Sequence, residues 1–521
     1  MDEEENAPVE NRAPIEGRAV RLAGLLATGI CIALLWVIAA FAPKGVPFAP
    51  TSLADSIIRA MPGDVSTFFI ELFKEWAIKL FAIGVMVATL FFGSLALGWS
   101  RQGREEPRPL LAGLALAALA GVAIVLGPGD RESYPGMVIA LSATAGVYAA
   151  VASWFLGRLR EERADAFDPV RRRALRMGIG GAVGVAVGGG FLGYLVQRLG
   201  GPNRDVKLVA PEMPASIPAR GPFPSIPGLT PEITTAADHY VVDINLVQPS
   251  VGAEDWKLKV TGLVDQPLEL SFEELQTRFA VVEEYSVLTC ISNEVGGDLV
   301  GNSLWGGVRL RDVLAEAGVK DGAVDVVFHA EEGYTDSIPL DIANDDSVLL
   351  AVSQNREPLL QEHGFPCRVR VPMIYGMKNV KWLREIEVVD EDYQGYWMQR
   401  GWSDEAVIFT QSRIDVAGES RRARLGEETW IAGVAWAGGR EIDKVEVSVD
   451  GGKTWTEAML KQPVSRFAWT LWAYRWEPRQ RGTVEVVARA TDGTGEVQTD
   501  ATTPPHPSGS TGLHRVSVKV S

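Results

Sequence analysis

The chain is poor in the residues that build most metal and redox sites. Its 521 residues include three cysteines and five histidines, and the first histidine is His239. So few cysteines argue against a disulfide-stapled scaffold and against zinc sites built on paired thiols. There is no Walker loop, no GxGxxG after a strand, no HExxH, no CxxC and no internal repeat. That argues against phosphate-loop, dinucleotide-binding, zincin and thioredoxin-like chemistry. Basic residues are also in deficit, 50 against 66 acidic ones, and the net charge of −16 argues against nucleic acid as a partner.

Charge is missing altogether from five stretches: Leu22–Pro43, Leu80–Ser100, Pro109–Gly129, Ser133–Gly157 and Met177–Gln197. Each is long enough to cross a hydrocarbon core of about 30 Å as a helix, and none carries the polar stripe of a soluble core helix. The expectation is a five-helix transmembrane domain over 20–200, behind a cytoplasmic tail over 1–19. Lys and Arg divide 13 to 5 between alternate flanks, with seven arginines between Arg158 and Arg176. The positive-inside rule then places the N-terminus in the cytoplasm and everything after residue 200 outside it. The stretch "DPVRRRALRMGIGGAVGVAVGGGFLG" reads equally as a basic cytoplasmic loop before a helix or as an internal twin-arginine export signal. A b-type haem needs histidines across the bundle, so none is expected, and electrons must pass to or from a separate carrier, a cytochrome or a quinone.

Residues 201–236 are proline-rich, with eight prolines between 202 and 231, and read as an extended, semi-rigid tether. Beyond it, "DWKLKVTGLV", "VDVVFHA" and "CRVRVPMIY" read as strands, "SFEELQTRF" and "LRDVLAEAGV" as capped helices. No βαβ period appears, so 237–404 is an α+β domain. After 405 the pattern is all β. "DKVEVSVDGGKTWTEAML" is a hairpin around Asp450-Gly451-Gly452, within a sandwich whose core is led by Trp430, Trp436, Trp455, Trp469 and Trp472.

Two features carry chemistry. Residues 363–384, "HGFPCRVRVPMIYGMKNVKWLR", contain His363, Arg368, Arg370, Lys378, Lys381 and Arg384 without one acid. A solvated basic face is one reading. The interleaved apolar residues favour another, a partly buried cluster that needs an anion such as phosphate. The second feature is Cys290, at the end of a β-branched run. It is a core thiol, half of a disulfide with Cys367, or a soft thiolate ligand to a transition metal. Cys31 falls in the first apolar run and Cys367 in a strand.

"TCISNEVGGDLVGNSLWGGVRLRDVL", "GYTDSIPL" and "HGFPCRVRVPMIYGMKNVKWLREIEV" resemble, in order, the molybdopterin domain of the sulfite oxidase family. "VSVDGGKTW" and its surroundings resemble that family's immunoglobulin-like dimerisation domain, so the likeness covers roughly residues 237–521. It implies that Cys290 binds molybdenum, and that His363, Arg368 and Lys381 hold the pterin phosphate. It further implies that Asn379 and Lys378 line the same site, that Tyr240 and Asp243 of "DHYVVD" approach the pterin, and that Asn293 lies just beyond the metal. Where the family carries an arginine and a tyrosine beside the metal, this chain has Val242 and Trp402, with Arg400 the nearby cation.

The whole reads as a multi-domain chain: an all-α transmembrane bundle, an α+β molybdopterin domain and an all-β immunoglobulin-like sandwich. The expected protein is a membrane-anchored, extracytoplasmic molybdenum-molybdopterin oxidoreductase transferring an oxygen atom, in contact with lipid and able to form a homodimer. Its substrate is a small oxyanion or, as a reductase fed from the membrane, an S- or N-oxide. The non-enzyme alternative is an exported binding or adhesion protein.

Overall fold

The computed structural model describes residues 17–41, 77–100, 107–125, 134–164, 206–212, 214–245 and 248–521, together with Ile57. The chain divides into two units, Met1–Gly201 with Ile244–Val247, and Pro202–Asp243 with Gln248–Ser521.

The described part of the first unit holds helices α1 Gly17–Phe41, α2 Ala77–Trp99, α3 Pro109–Val125 and α4 Tyr134–Ala164. Small residues let them pack closely: a Cβ on Gly24 would lie 2.8 Å from the Gly93 carbonyl oxygen. The hydroxyls of Ser94 and Tyr148 donate to the carbonyls of Arg21 and Gly93, at 3.0 and 2.8 Å. Such bonds satisfy polar groups that an apolar surrounding would leave stranded. The outward faces expose Ile83, Val87, Phe91, Phe92, Leu119 and Ile139. By length and composition, Gly17–Leu35 and Val138–Gly157 are long and apolar enough to cross a membrane, whereas Ile83–Trp99 and Pro109–Val122 are shorter apolar segments. The helices differ from the apolar runs at their ends. α1 starts at Gly17, ahead of its run, and α4 continues through Arg158 and Arg160 to Ala164, so part of the expected basic loop is helical. The expected fifth helix, Met177–Gln197, and the twin-arginine-like arginines lie outside the described residues.

In the second unit, one sheet runs β2 (Leu268–Ser271), β1 (Lys257–Gly262), β10 (Leu383–Val389), β5 (Asp325–Ala330) and β6 (Thr335–Pro339). Only β1 and β10 pair in parallel within it. The second sheet holds β3 (Val281–Thr289), β4 (Val300–Arg309), β7 (Leu349–Gln354) and β8 (Glu357–Pro358), with β9 (Arg368–Arg370) on β7. Short helices join them: α5 Phe272–Arg278, α6 Leu310–Ala317 and α7 Leu340–Ala343. α5 starts in a capping box, Ser271 and Glu274 each satisfying the other's backbone N–H. α6 stops at Gly318, whose φ of 71° is left-handed and suits glycine.

The sandwich packs the sheet β11 (Gln411–Ala417), β13 (Thr429–Trp436), β17 (Thr470–Trp476), β16 (Met459–Leu460) on a second one. That second sheet runs β12 (Arg422–Ala423), β19 (His514–Val520), β18 (Gly482–Asp492), β14 (Ile442–Ser448), β15 (Thr456–Glu457). Trp436, Trp469 and Trp472 are buried as expected, but Trp430 and Trp455 are only partly covered.

The proline-rich segment is extended, yet its described residues are not a free tether. Phe223, Ile226 and Leu229 pack on Ala432, Ala473 and Trp430 of the sandwich. The Glu232 carbonyl accepts from Asn302 Nδ2 and from Trp469 Nε1, at 2.9 and 2.8 Å, bridging the α+β domain and the sandwich. Glu232 also pairs with Arg220 and Lys461. Proline supplies an extended backbone at little entropic cost, and the apolar residues between the prolines supply the reason to lie down.

Candidate active site

β3 delivers Cys290 into a closed loop. The Cys290 N–H donates to Leu299 O at 2.9 Å, the Asn293 N–H to Cys290 O at 3.1 Å, and Asn293 Oδ1 accepts from the Leu299 N–H at 2.9 Å. From the sandwich, the Ser510 hydroxyl donates to Asn293 O at 2.6 Å. Asn293, expected just beyond the metal, therefore has its side-chain oxygen engaged in closing the loop that presents the thiol. Cys290 Sγ lies 2.9 Å from Ser292 Oγ, and burial pushes its pKa up. Cys290 and Cys367 are both buried free thiols and form no disulfide with each other in this structure.

Two buried guanidinium groups form the next wall. Arg368 and Arg370, two apart on β9, share one face of the strand. Arg368 donates to His363 O at 3.1 Å and Asn379 O at 3.0 Å. Arg370 donates to Val371 O at 2.8 Å, Asn379 Oδ1 at 2.7 Å and Val287 O. Every one of these acceptors is neutral, and neither arginine forms an ion pair among the described residues, although Glu284 lies within electrostatic range of Arg370. Both guanidinium carbons lie over the Trp305 ring, 5.3 and 5.6 Å from its centroid. Burial draws their pKa values down to about 10 and about 9.

Two imidazoles complete this chamber. His363 Nε2 donates to Ala236 O at 2.7 Å, and burial lowers its pKa to about 4. His239 lies edge-on to it, 5.5 Å between centroids, and burial followed by the repulsion of His363 lowers its pKa to about 3. Buried His239 Nε2, Arg368 Nε and Arg370 Nε have no hydrogen-bond partner among the described residues. Tyr240 lies within electrostatic range of Arg368, Arg370 and Cys290. Burial and the neighbouring thiol both raise its pKa, and a Cβ on Gly376 would lie 2.8 Å from its hydroxyl. Lys381 donates to Asp243 at 2.9 Å and to Glu362 O at 3.1 Å, within electrostatic range of Arg368.

The remaining expected residues have other work. Asn379 accepts from the Val371 N–H at 2.8 Å and from Arg370, and donates to Tyr375 O at 3.1 Å, tying β9 to the turn that follows it. Lys378, expected to line the pterin site, uses its three ammonium protons on Asp404, Ser337 O and Asp336, at 2.7, 2.8 and 3.3 Å. Arg400 lies on the Tyr396 ring at 3.7 Å and donates to Tyr396 O at 2.8 Å. Trp402 is buried between Trp397 and His506 of the sandwich, with ring centroids 6.0 and 5.0 Å away, and its indole N–H has no partner. Sequence reasoning missed His239, although it is one of only five histidines and adjoins Tyr240. It also missed Trp305, which no charge pattern marks.

Residues 245–397 match the oxidoreductase molybdopterin binding domain, and residues 406–519 match the Mo-co oxidoreductase dimerisation domain. The uncharacterized oxidoreductase YuiH of Bacillus subtilis is 42% identical over 147 residues, 28% of this chain and 72% of that one. The chain belongs to the sulfite oxidase family. Mitochondrial sulfite oxidase of Mus musculus is 32% identical over 308 residues, covering 50% of this chain and 56% of the mouse enzyme's length. The crystal structure of the sulfane dehydrogenase SoxCD from Paracoccus pantotrophus superposes with a TM-score of 0.50 at 26% identity, over 56% of this chain and 82% of that one. Cys290, His363, Arg368, Lys378, Asn379 and Lys381 fall inside the matched molybdopterin domain, whereas Tyr240, Asp243, Arg400 and Trp402 fall outside it.

Molybdenum-molybdopterin is the cofactor of this domain, and the residues fit it. Two buried arginines that donate only to neutral oxygens, with the carboxylate Glu284 in electrostatic range of one of them, leave room for an anion, which a pterin phosphate provides. A thiol at the end of β3 is the soft donor that a molybdenum ion accepts. Arg368, Arg370, His363 and Lys381 would hold the phosphate, and Cys290 the metal.

Proposed function

We propose that the chain is a membrane-anchored oxidoreductase, with its catalytic domain outside the cytoplasm, moving one oxygen atom and two electrons per turnover. The observation that carries the reading is Cys290 within electrostatic range of Tyr240, and a chamber of buried arginines whose hydrogen bonds all go to neutral oxygens. The bound cofactor supplies the two-electron, oxygen-transferring chemistry. The protein presents the thiolate from a loop closed by Asn293, excludes water around it, and neutralises the cofactor's anionic end. Apolar helices ahead of the domain support anchoring, and the 13-to-5 distribution of Lys and Arg supports an external catalytic domain. The dimerisation domain supports a homodimer. Electrons go to or come from a separate carrier, a cytochrome or a quinone.

The substrate side favours an uncharged S- or N-oxide over sulfite. Sulfite is a dianion and calls for convergent positive charge. Val242 offers neither charge nor a donor and is exposed, while Arg400 lies along Tyr396. Trp402 offers one N–H on an apolar ring, enough for one neutral oxygen. In the reductive direction the S–O or N–O bond breaks, and two electrons and two protons turn that oxygen into water. The test is molybdenum and pterin analysis of the purified chain, then specificity constants for sulfite, dimethyl sulfoxide and trimethylamine N-oxide with an artificial electron mediator. Stoichiometric molybdenum and a preference of at least about tenfold for a neutral oxide are expected, a difference of about 1.4 kcal/mol. A metal-free protein would point to the binding or adhesion alternative, and efficient sulfite turnover would show a differently charged pocket.

A further inference from the structure

Lys378 is almost wholly buried and holds two carboxylates of very different standing. Asp336, on β6, is fully buried; it accepts from Lys378 at 3.3 Å, from the Tyr334 hydroxyl at 2.9 Å and from the Ser337 N–H at 2.9 Å. Asp404 reaches Lys378 at 2.7 Å from the other side and is 37% exposed. It also accepts from Gln394 at 3.2 Å and lies close enough to Asp392 to raise that residue's pKa, with Asp325 adding to the effect. The inner pair is thus sealed, while the outer one is open to water, salt and the repulsion of a neighbouring carboxylate.

The two ends of this contact belong to two walls of the site. Lys378 follows Tyr375 and Gly376, which abuts the Tyr240 hydroxyl, and precedes Asn379, which holds Arg370. Asp404 closes the segment that carries Tyr396, Arg400 and Trp402. Inside that segment, Met398–Arg400 forms a 3-10 turn ended by Gly401 at φ 84°. The Ser403 N–H then donates to Pro507 O at 3.0 Å.

We propose that Asp404 is a positioning residue, a half-exposed carboxylate that latches segment 392–404, with Trp402 and Arg400, onto Lys378 beside the cofactor wall. The proposal rests on the site reading above for the identity of the substrate wall, but the latch itself does not. Lys378 is accordingly a structural node and leaves the pterin phosphate to Arg368, Arg370, His363 and Lys381. Asp336 keeps the ammonium in place when the latch opens, so opening releases the segment without stranding a buried charge.

The test uses the full-length, cofactor-loaded protein and its Asp404→Asn and Asp404→Glu variants. Backbone hydrogen exchange is read without turnover, so a wrong substrate assignment leaves that arm intact. Asp404→Asn should speed exchange across 394–404 by about tenfold or more, the scale of one lost charge-assisted hydrogen bond. Molybdenum content should be unchanged, and KM for the best of sulfite, dimethyl sulfoxide and trimethylamine N-oxide should rise about tenfold, with kcat within about twofold. Asp404→Glu should restore most of both, and high salt should move the wild type toward the Asn variant. Unchanged exchange would overturn the latch. Faster exchange with an unchanged KM would overturn its role in positioning substrate. Loss of molybdenum in Asp404→Asn would overturn the assignment of Lys378 and return it to the cofactor.

Discussion

Arg368 and Arg370 on one side, and Lys378 and Lys381 on the other, come from one stretch of sequence and are treated oppositely by the fold. The lysines are neutralised by the chain itself, Lys378 by Asp336 and Asp404, Lys381 by Asp243. The arginines donate only to carbonyl and amide oxygens, with Glu284 in electrostatic range of Arg370 but not hydrogen-bonded to it. A protein that buries a cation without its own counter-ion has left that place for a ligand's charge. The difference therefore sorts one basic run into cations paired within the chain, of which Lys381 still borders the phosphate site, and cations whose ion-pair partner is left to the cofactor.

The largest effect expected at this site comes from the group that completes the arginines' side of the comparison. Cys290→Ser should abolish turnover and lower molybdenum content severalfold, because a hydroxyl is a poor substitute for a soft thiolate. Cys367→Ser, at a thiol buried in the core, should leave the metal in place; metal analysis of both variants decides.

Next comes a direct contrast between the two kinds of cation. Lys378→Met should destabilise the protein by about 3–5 kcal/mol, since it strands buried Asp336. Arg370→Met should destabilise the cofactor-free protein less, by about 1–3 kcal/mol, because it leaves carbonyl oxygens unpaired and breaks no ion pair. It should nevertheless lose pterin on gel filtration. Equal destabilisation of the two variants would erase the distinction.

A smaller effect separates the loaded and cofactor-free forms by pH. His239 and His363 titrate at about 3 and about 4 in the folded protein, below their ordinary value of 6.5. The unfolded chain thus binds those protons first, and stability present above about pH 6.5 is lost as pH falls toward 4. Asp336 works the other way, its folded pKa of about 6 lying above the ordinary 3.8, so it returns part of that loss. Two imidazoles outweigh one carboxyl, and the net is loss. An anion beside His363 raises the imidazole pKa, so the cofactor-free protein should show the steeper fall of melting temperature between pH 6.5 and 4. Parallel curves would mean that the anion does not sit there.

The smallest signal is spectroscopic. With its first histidine at His239, the single purified polypeptide should show no haem absorption band, leaving electron transfer to a separate carrier. A haem band in that preparation would break the contrast between a cofactor-bearing domain and apolar helices without a redox group.

The sequence by itself determined what periodicity and composition encode: the uncharged runs, strand alternation, the capped ends of α5 and α6, and the placing of one thiol and one basic stretch. These are local properties, and the backbone expresses them wherever the segment lies. It did not determine that Arg368 and Arg370 lack ion pairs while Lys378 and Lys381 have them. Nor did it show that Asn293 and Asn379 hold walls, or that the proline-rich segment lies down on the sandwich. Those outcomes depend on contacts between residues far apart in the chain: Lys378 with Asp336 and Asp404, 42 and 26 positions away, and Lys381 with Asp243, 138 away. Only the tertiary structure decides which charges share a dielectric, because burial and pairing are properties of the assembled core and not of any stretch within it.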